Sequence, residues 1–420
     1  MHTFRAGPLR GEVRVAGDKS ISHRALMLAA LAPGRSTIEA PNRGADVLAT
    51  RDAVAALGAH VDDRGESIVI EGGALHDPVG AIDARNSGTT ARLLMGLCAG
   101  RGLTASFDGD ESLRRRPMER VARPLRAMGA EVQTTDGRLP ATVHGIRNPP
   151  GAEFALELPS AQVKSAILFA NLRARGAVVI TNDRFSRDHT ERMLRHFGRT
   201  IAFDGATVDL EPGALSPKRV RVPGDLSGAA FFITAAAITP GSDLILRDVG
   251  VNPTRTGLLD VLLAMGADLE LQHEREIDGE PVADIHIRYR PLLATTVDAE
   301  LVVRAIDEIP IIAVAAAHAN GTTRIRDAAD LRTKESDRLT AIARTLRACG
   351  VGVAEEPDGL DITGGGARQP NERLETGADH RIAMAIAALA APSGPHTIDD
   401  QACIDVSFPG FVTRWAEVQA

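Results

Sequence analysis

GDKSISHRALMLAALAPGRSTIEA, residues 17–40, gathers a lysine, two serines, a histidine and an arginine at its head, turns apolar, and ends on a glycine and a strand-like RSTIEA. A solvated helix spreads its charges along one face. This one collects donors in its first turn and is apolar nearly all round after it, so it should be buried on every side. The same order recurs in TTARLLMGLCAGRGLTASFDG, SAQVKSAILFANLRARGAVVIT, SGAAFFITAAAITPGSDLILRD, EIPIIAVAAAHANGTTRIRD and DHRIAMAIAALAAPSGPHTIDD. The glycines after these helices, Gly34, Gly102, Gly176, Gly241, Gly321 and Gly394, recur about every 70 residues, which marks an internal repeat.

A second helix follows in most units, as in TGLLDVLLAMGA and SDRLTAIARTLRACG, ending at Gly58, Gly129, Gly198, Gly266 or Gly350, where a helix C-terminus favours a left-handed residue. These helices are amphipathic; Leu258, Leu259, Leu262 and Leu263 against Asp260 should cover a sheet with one face. Short alternating segments with a DG or DxG turn then predict a hairpin, so each unit reads βαβαββ. Buried helices need a shared interior, and three units around one core supply it. The expected architecture is α/β, with two domains of three repeats each. They span residues 17–223, and 1–16 plus 224–420, with the break near VPGD at 222–225 and two chain crossings. No atypical capping unit of the kind a solenoid needs is evident.

Composition narrows the function. The formal net charge of −7 and 3% aromatic content argue against nucleic-acid binding. Three cysteines without CxxC spacing indicate neither a disulfide framework nor a zinc site and suit a reducing compartment. The N-terminus lacks the apolar stretch of a signal peptide, and no apolar run is long enough for a membrane span. A cytoplasmic protein is expected.

Polar residues cluster where the buried helices begin: Lys19, Ser20 and Arg24; Asn86 to Thr90; Ser160, Gln162 and Lys164; Asp307 and Glu308; Asp379, His380 and Arg381. Free N–H groups and a partial positive charge make such ends anion sites. Ser, Thr and Asp are also ordinary caps, but lysine and arginine at a positive end are unusual and point to a multiply anionic ligand. Arg114, Arg115 and Arg116 add a second cluster, of which one or two should be functional and the rest exposed. Lys334, Glu335 and Arg338 form a third, with spacings that fit one helix face or a simple Glu–Arg pair. No zinc, phosphate-loop, dinucleotide or GxSxG motif is present. The remaining picture is a metal-free site with Asp307 and Glu335 as acid/base candidates.

Ten motifs, GDKSISHRAL, RNSGTTAR, RRRPM, PSAQVKSA, RDHTE, NPTRTG, IDEIPIIAVAAA, LRTKESDRL, DHRIAMA and SFP, resemble in order those of the EPSP synthase (3-phosphoshikimate 1-carboxyvinyltransferase) family. That resemblance covers residues 17 to 409 and implies the enolpyruvyl transferase fold, an inverse α/β barrel with substrates held between two domains. It implies transfer of the carboxyvinyl group of phosphoenolpyruvate to the 5-hydroxyl of 3-phosphoshikimate through a tetrahedral intermediate, with no cofactor, metal or covalent enzyme adduct. A monomer, in the shikimate pathway to chorismate and the aromatic amino acids, is expected.

Carried over by position, Lys19 matches a lysine that contacts both substrates and is a candidate proton shuttle. Ser20, Arg24, Ser160, Ala161 (through its backbone), Gln162, Arg187, Asp307 and Lys334 match the 3-phosphoshikimate side. Gly88, Arg116, Gln162, Arg338 and Arg381 match the phosphoenolpyruvate pocket. Asp307 matches the acceptor of the 5-hydroxyl proton, and Glu335 the group that protonates the methylene carbon. One departure is Val406, where some family members carry a lysine before the SFP-like motif. The related UDP-N-acetylglucosamine 1-carboxyvinyltransferases differ in placing a cysteine in the loop matching GDESLRRRPM and Lys-Asn where this chain reads Lys19-Ser20. A non-catalytic anion-binding scaffold is the other alternative; retention of Lys19, Asp307 and Glu335 together argues against it.

Overall fold

The computed structural model describes residues 1–419. The chain divides into two compact units. One, here the Lys19 unit, comprises Lys19–Val222 with Ile277–Glu280; the other, the Pro223 unit, comprises Met1–Asp18, Pro223–Glu276 and the chain from Pro281 onward.

In the Lys19 unit the buried helices are Lys19–Leu31, Gly88–Arg101 and Ala161–Asn171. The second and third lie backbone to backbone because Gly96 and Gly100 leave room. A Cβ at either would collide with the main chain of Ala166 or Ala170. In the Pro223 unit the equivalent helices are Leu226–Ile238, Ile309–Ala317 and His380–Ser393. All thirteen residues of Leu226–Ile238 are buried, as an all-round apolar helix requires.

Five four-stranded sheets share one pattern. The strand that follows a buried helix has a parallel neighbour on one side, in three of the sheets the strand just before that helix, and a hairpin completes the sheet antiparallel. Ile82–Asp83, Thr104–Asp108, Arg138–His144 and Glu131–Thr135 are one example. The second helix of a repeat packs on its own hairpin and ends in a left-handed glycine, for instance Gly129 at φ 99° and Gly350 at φ 79°. In helix Gly257–Ala264 the buried face is Leu258, Leu259, Val261 and Leu262; Leu263, expected on that face, is 49% exposed.

Two strands are far in sequence from the repeats they complete. Arg10–Val13 pairs in parallel with Asp243–Leu246 in the Pro223 unit, and Arg219–Arg221 with Thr37–Glu39 in the Lys19 unit. The sixth repeat departs from the expected uniformity. It has only His396–Ile398, paired with His2–Phe4, and ends in helix Phe411–Val418. Aromatic side chains close the core there. Phe4, Phe231, Phe232, Phe408, Phe411 and Trp415 pack edge-to-face or tilted, with ring centroids 5.1–6.3 Å apart. No helix among the described residues is long and apolar enough to cross a membrane.

Candidate active site

In the Lys19 unit the three buried helices begin side by side, because their first turns are laced to one another. Lys19 Nζ donates to Asp46 Oδ2 at 3.0 Å. Asp46 lies on helix Ala45–Ala56, whose Thr50 hydroxyl meets that of Thr90, in the first turn of the Gly88–Arg101 helix, at 2.6 Å. Gln162, at the head of the third helix, accepts from Arg92 Nη1 at 2.7 Å and donates to the Thr89 hydroxyl at 3.1 Å. Arg24 closes the circuit. Its Nε donates to Thr190 Oγ1 at 2.6 Å and its Nη2 to Ser165 Oγ at 3.0 Å, while Nη1 reaches the Ser20 carbonyl at 3.0 Å.

Individual residues sort cleanly here. Ser87 and Ser160 cap their helices, accepting from Thr90 N at 3.1 Å and Val163 N at 3.4 Å. Ala161 and Gln162 occupy the first turn behind Ser160, and Ser20 is half-buried in the first turn of its own helix. Arg114 and Arg115 are exposed and pair with Asp108 and Glu111 at 2.8 Å. Arg116 alone turns inward: the proline after it forces an extended backbone, φ −79° and ψ 142°, and its Nη2 meets Asn86 Oδ1 at 3.0 Å. A Cβ on Gly88 would lie 2.7 Å from Arg92 Nη1 and 3.2 Å from Arg116 Nη1, so that glycine keeps two guanidinium groups close to bare backbone. Arg187 is half-buried on the loop before helix His189–His196.

One expectation needs correction, and one residue went unnoticed. Lys164, counted with the tip donors, is fully buried and bound to Asp183 and Glu191, each at 2.6 Å. Arg92 was missed, although it is buried at this tip and also donates to the Pro117 carbonyl at 3.0 Å. Its signal was an arginine inside an otherwise apolar helix, four residues after Gly88.

The Pro223 unit builds a second cluster of different sign. Arg338, 1% exposed, donates to Asp307 Oδ1 at 3.2 Å, Glu335 Oε2 at 2.6 Å and Asp379 Oδ2 at 2.9 Å. Arg381 Nη1 meets the Asp307 carbonyl at 3.0 Å and Glu308 Oε1 at 3.5 Å. Glu308 accepts from Ser227, whose oxygen also accepts from Arg255 Nη2 at 2.5 Å. Arg255 further pairs with Asp18 at 3.3 Å and Asp225 at 3.4 Å.

Burial alone would favour loss of the Arg338 proton, but Asp379, Glu335 and Asp307 reverse that and hold it charged. Asp379 shows the mirror image: burial pushes its carboxyl up, and the Arg338 guanidinium brings it below the usual range. Among the described residues, three arginines here face six carboxylates. Helix tips in this unit are therefore rich in carboxylates, whereas the sequence reading took such helix ends as anion sites.

Lys334 and Arg338 do not share a helix face. The helix begins at Arg338, capped by Asp337, and Lys334 ends a short 3₁₀ turn and pairs with Asp330 at 2.9 Å. The plain Glu335–Arg338 pair weighed from sequence does form, across the cap.

A fold of this repeated form occurs in an enolpyruvyl transferase. The enolpyruvyl transferase NikO from Streptomyces tendae superposes with a TM-score of 0.78 over 99% of this chain and 96% of its own, a likeness of fold at 20% identity. EPSP synthase from Acinetobacter baumannii superposes with a TM-score of 0.87 at 39% identity, over 100% of this chain and 98% of that one. The profile of the family EPSP synthase (3-phosphoshikimate 1-carboxyvinyltransferase) matches residues 5–415. Relatives named 3-phosphoshikimate 1-carboxyvinyltransferase include those of Geobacter sp. strain M21, 48% identical over 97% of this chain and 96% of that protein, and Gloeobacter violaceus, 49% identical over 98% and 97%. The chain belongs to the EPSP synthase family.

Proposed function

We infer that this protein transfers the enolpyruvyl group of phosphoenolpyruvate to the 5-hydroxyl of 3-phosphoshikimate, giving 5-enolpyruvylshikimate 3-phosphate and phosphate. It is a transferase of the shikimate pathway to chorismate and the aromatic amino acids. The observation that carries the reading is a division of charge. The Lys19 unit gathers cationic and neutral donors at adjoining helix heads, and the Pro223 unit gathers carboxylates around Arg338.

In this reading the first set binds. Lys19, Ser20, Arg24, Ser160, Ala161, Gln162 and Arg187 hold 3-phosphoshikimate, and Gly88, Arg116 and Gln162, with Lys19, hold phosphoenolpyruvate. Charge-assisted hydrogen bonds of this kind contribute about 1.5–3 kcal/mol each. The second set moves protons. Glu335 protonates the methylene carbon while Asp307 takes the proton of the attacking 5-hydroxyl, which adds to the neighbouring carbon. Loss of phosphate, and return of one proton from the resulting methyl group to the Glu335 carboxylate, then restores the double bond, with Lys19 placed to share in proton transfer. Arg338 and Arg381 join the phosphoenolpyruvate side, and Lys334 the shikimate side. Their charge suits a transition state in which negative charge shifts toward the leaving phosphate.

The cysteines disfavour the UDP-N-acetylglucosamine alternative. Cys98, Cys349 and Cys403 are all buried and unpaired with one another. Burial pushes the Cys349 and Cys403 thiols up to about 12, far from a reactive thiolate. Free buried thiols also support a cytoplasmic, reducing location, and both residue sets on one chain support a monomer as the working form. The test is phosphate release from the purified protein. Release is expected only when 3-phosphoshikimate and phosphoenolpyruvate are both present; release with UDP-N-acetylglucosamine in place of 3-phosphoshikimate would overturn the assignment.

A further inference from the structure

Lys164 sits one turn into the helix that carries Ala161 and Gln162, yet its side chain is fully buried. A buried ammonium is costly unless paired and hydrogen-bonded. Here its partners all lie on one short segment. Nζ donates to Asp183 Oδ2 at 2.6 Å, to the Ser186 carbonyl at 3.4 Å, and pairs with Glu191 Oε1 at 2.6 Å. Burial would pull the ammonium toward neutrality, but Glu191 and Asp183 outweigh it and keep the lysine charged.

Those partners bracket Arg187: Asp183 stands four residues before it, Ser186 immediately before, and Glu191 four after. The Ser186 hydroxyl adds a bond to Asp183 Oδ1 at 2.5 Å. The same stretch holds unfavourable backbone conformations. Asn182, Arg184 and Phe185 have φ of 62°, 40° and 63°, the left-handed region that non-glycine residues avoid. A segment strained in this way holds one shape only if its surroundings impose it, and the lysine ties it from the helix side.

We propose that Lys164 is a positioning residue for 3-phosphoshikimate: it clamps Asp183–Glu191 so that Arg187 is held ready for the substrate phosphate. This rests on the reading of Arg187 as a phosphate ligand. The experiment measures kcat and both KM values in the wild type, Arg187→Gln, Lys164→Met and the double variant. Arg187→Gln and Lys164→Met are each expected to raise KM for 3-phosphoshikimate about tenfold or more, with KM for phosphoenolpyruvate within about twofold. The double variant should be no worse than Arg187→Gln alone, because both act through one contact.

A wild-type KM in Arg187→Gln would overturn the reading of Arg187 itself. A raised KM there with a wild-type KM in folded Lys164→Met would overturn the clamp alone. A rise in both KM values, or effects that multiply in the double variant, would also overturn it, as signs of general loosening. Should Lys164→Met not fold, Asp183→Asn takes its place. That variant keeps the lysine's other carboxylate and is expected to raise the same single KM about threefold to tenfold; an unchanged KM would overturn the clamp.

Discussion

Gly88 shows how much a single hydrogen atom can control. Its missing Cβ leaves Arg92 and Arg116 close to the first turn of a helix; an added methyl would meet Arg92 Nη1 at 2.7 Å and Arg116 Nη1 at 3.2 Å. Both contacts are flexible side-chain ends, so Gly88→Ala is expected to fold normally and displace the two guanidinium groups. The predicted result is KM for phosphoenolpyruvate raised about tenfold, with KM for 3-phosphoshikimate little changed; steady-state kinetics in both substrates checks it. At this scale the sequence was legible where chemistry was unusual: lysine and arginine at a positive helix end, or an arginine before proline. It was opaque where a partner lies a whole repeat away. Arg92 binds Gln162 across 70 residues and Arg381 binds the Asp307 carbonyl across 74, separations that no local spacing rule inspects. Lys164 was misread for the same reason, since Asp183 and Glu191 belong to later elements.

Among the elements, the buried helices were the easiest to read, because apolar residues all round admit only an interior position. Their contact geometry was not, since the small residues that set it look like ordinary helix content. Gly100 tests this. In an isolated helix, glycine to alanine is favourable by about 1 kcal/mol. Here the new Cβ would strike the Ala170 carbonyl oxygen and lie 2.5 Å from its carbon, and main chain cannot swing aside. Gly100→Ala is therefore predicted to destabilise by about 2 kcal/mol or more, read as a lower urea midpoint. A stabilised variant would show that the two helices are not in backbone contact. The departure of the sixth repeat was not legible in the sequence because its buried helix is typical. What marks it is the helix Phe411–Val418 after His396–Ile398 and the aromatic residues gathered at Phe408, Phe411 and Trp415.

Taken whole, the molecule hides titratable groups in both units, and pH should find them. Burial, then the charges of Lys19 and Arg24, hold His23 well below the ordinary histidine range. Burial, then His396, brings His318 down to about 4. In the unfolded chain each titrates near 6.5, so below that pH the unfolded state binds more protons than the folded one. Stability from these histidines is thus present above pH 6.5 and lost as pH falls toward 4, by about 1.4 kcal/mol per unit for each. Urea midpoints should fall between pH 7.5 and 5; a flat profile would contradict the buried, neutral assignment. Charge at the scale of a unit was the least legible feature, because composition reports a sum and folding decides which groups gather. The central claim is that the donors of the Lys19 unit chiefly bind, while Glu335 and Asp307 of the Pro223 unit move protons. Calorimetric binding of 3-phosphoshikimate, set beside turnover in the same variants, tests it most directly. Glu335→Ala is predicted to bind within about threefold of wild type while turning over at least about a thousandfold more slowly, and Arg24→Gln to lose binding by about tenfold or more. Wild-type binding in Arg24→Gln, or binding lost in Glu335→Ala as fully as turnover, would contradict the account.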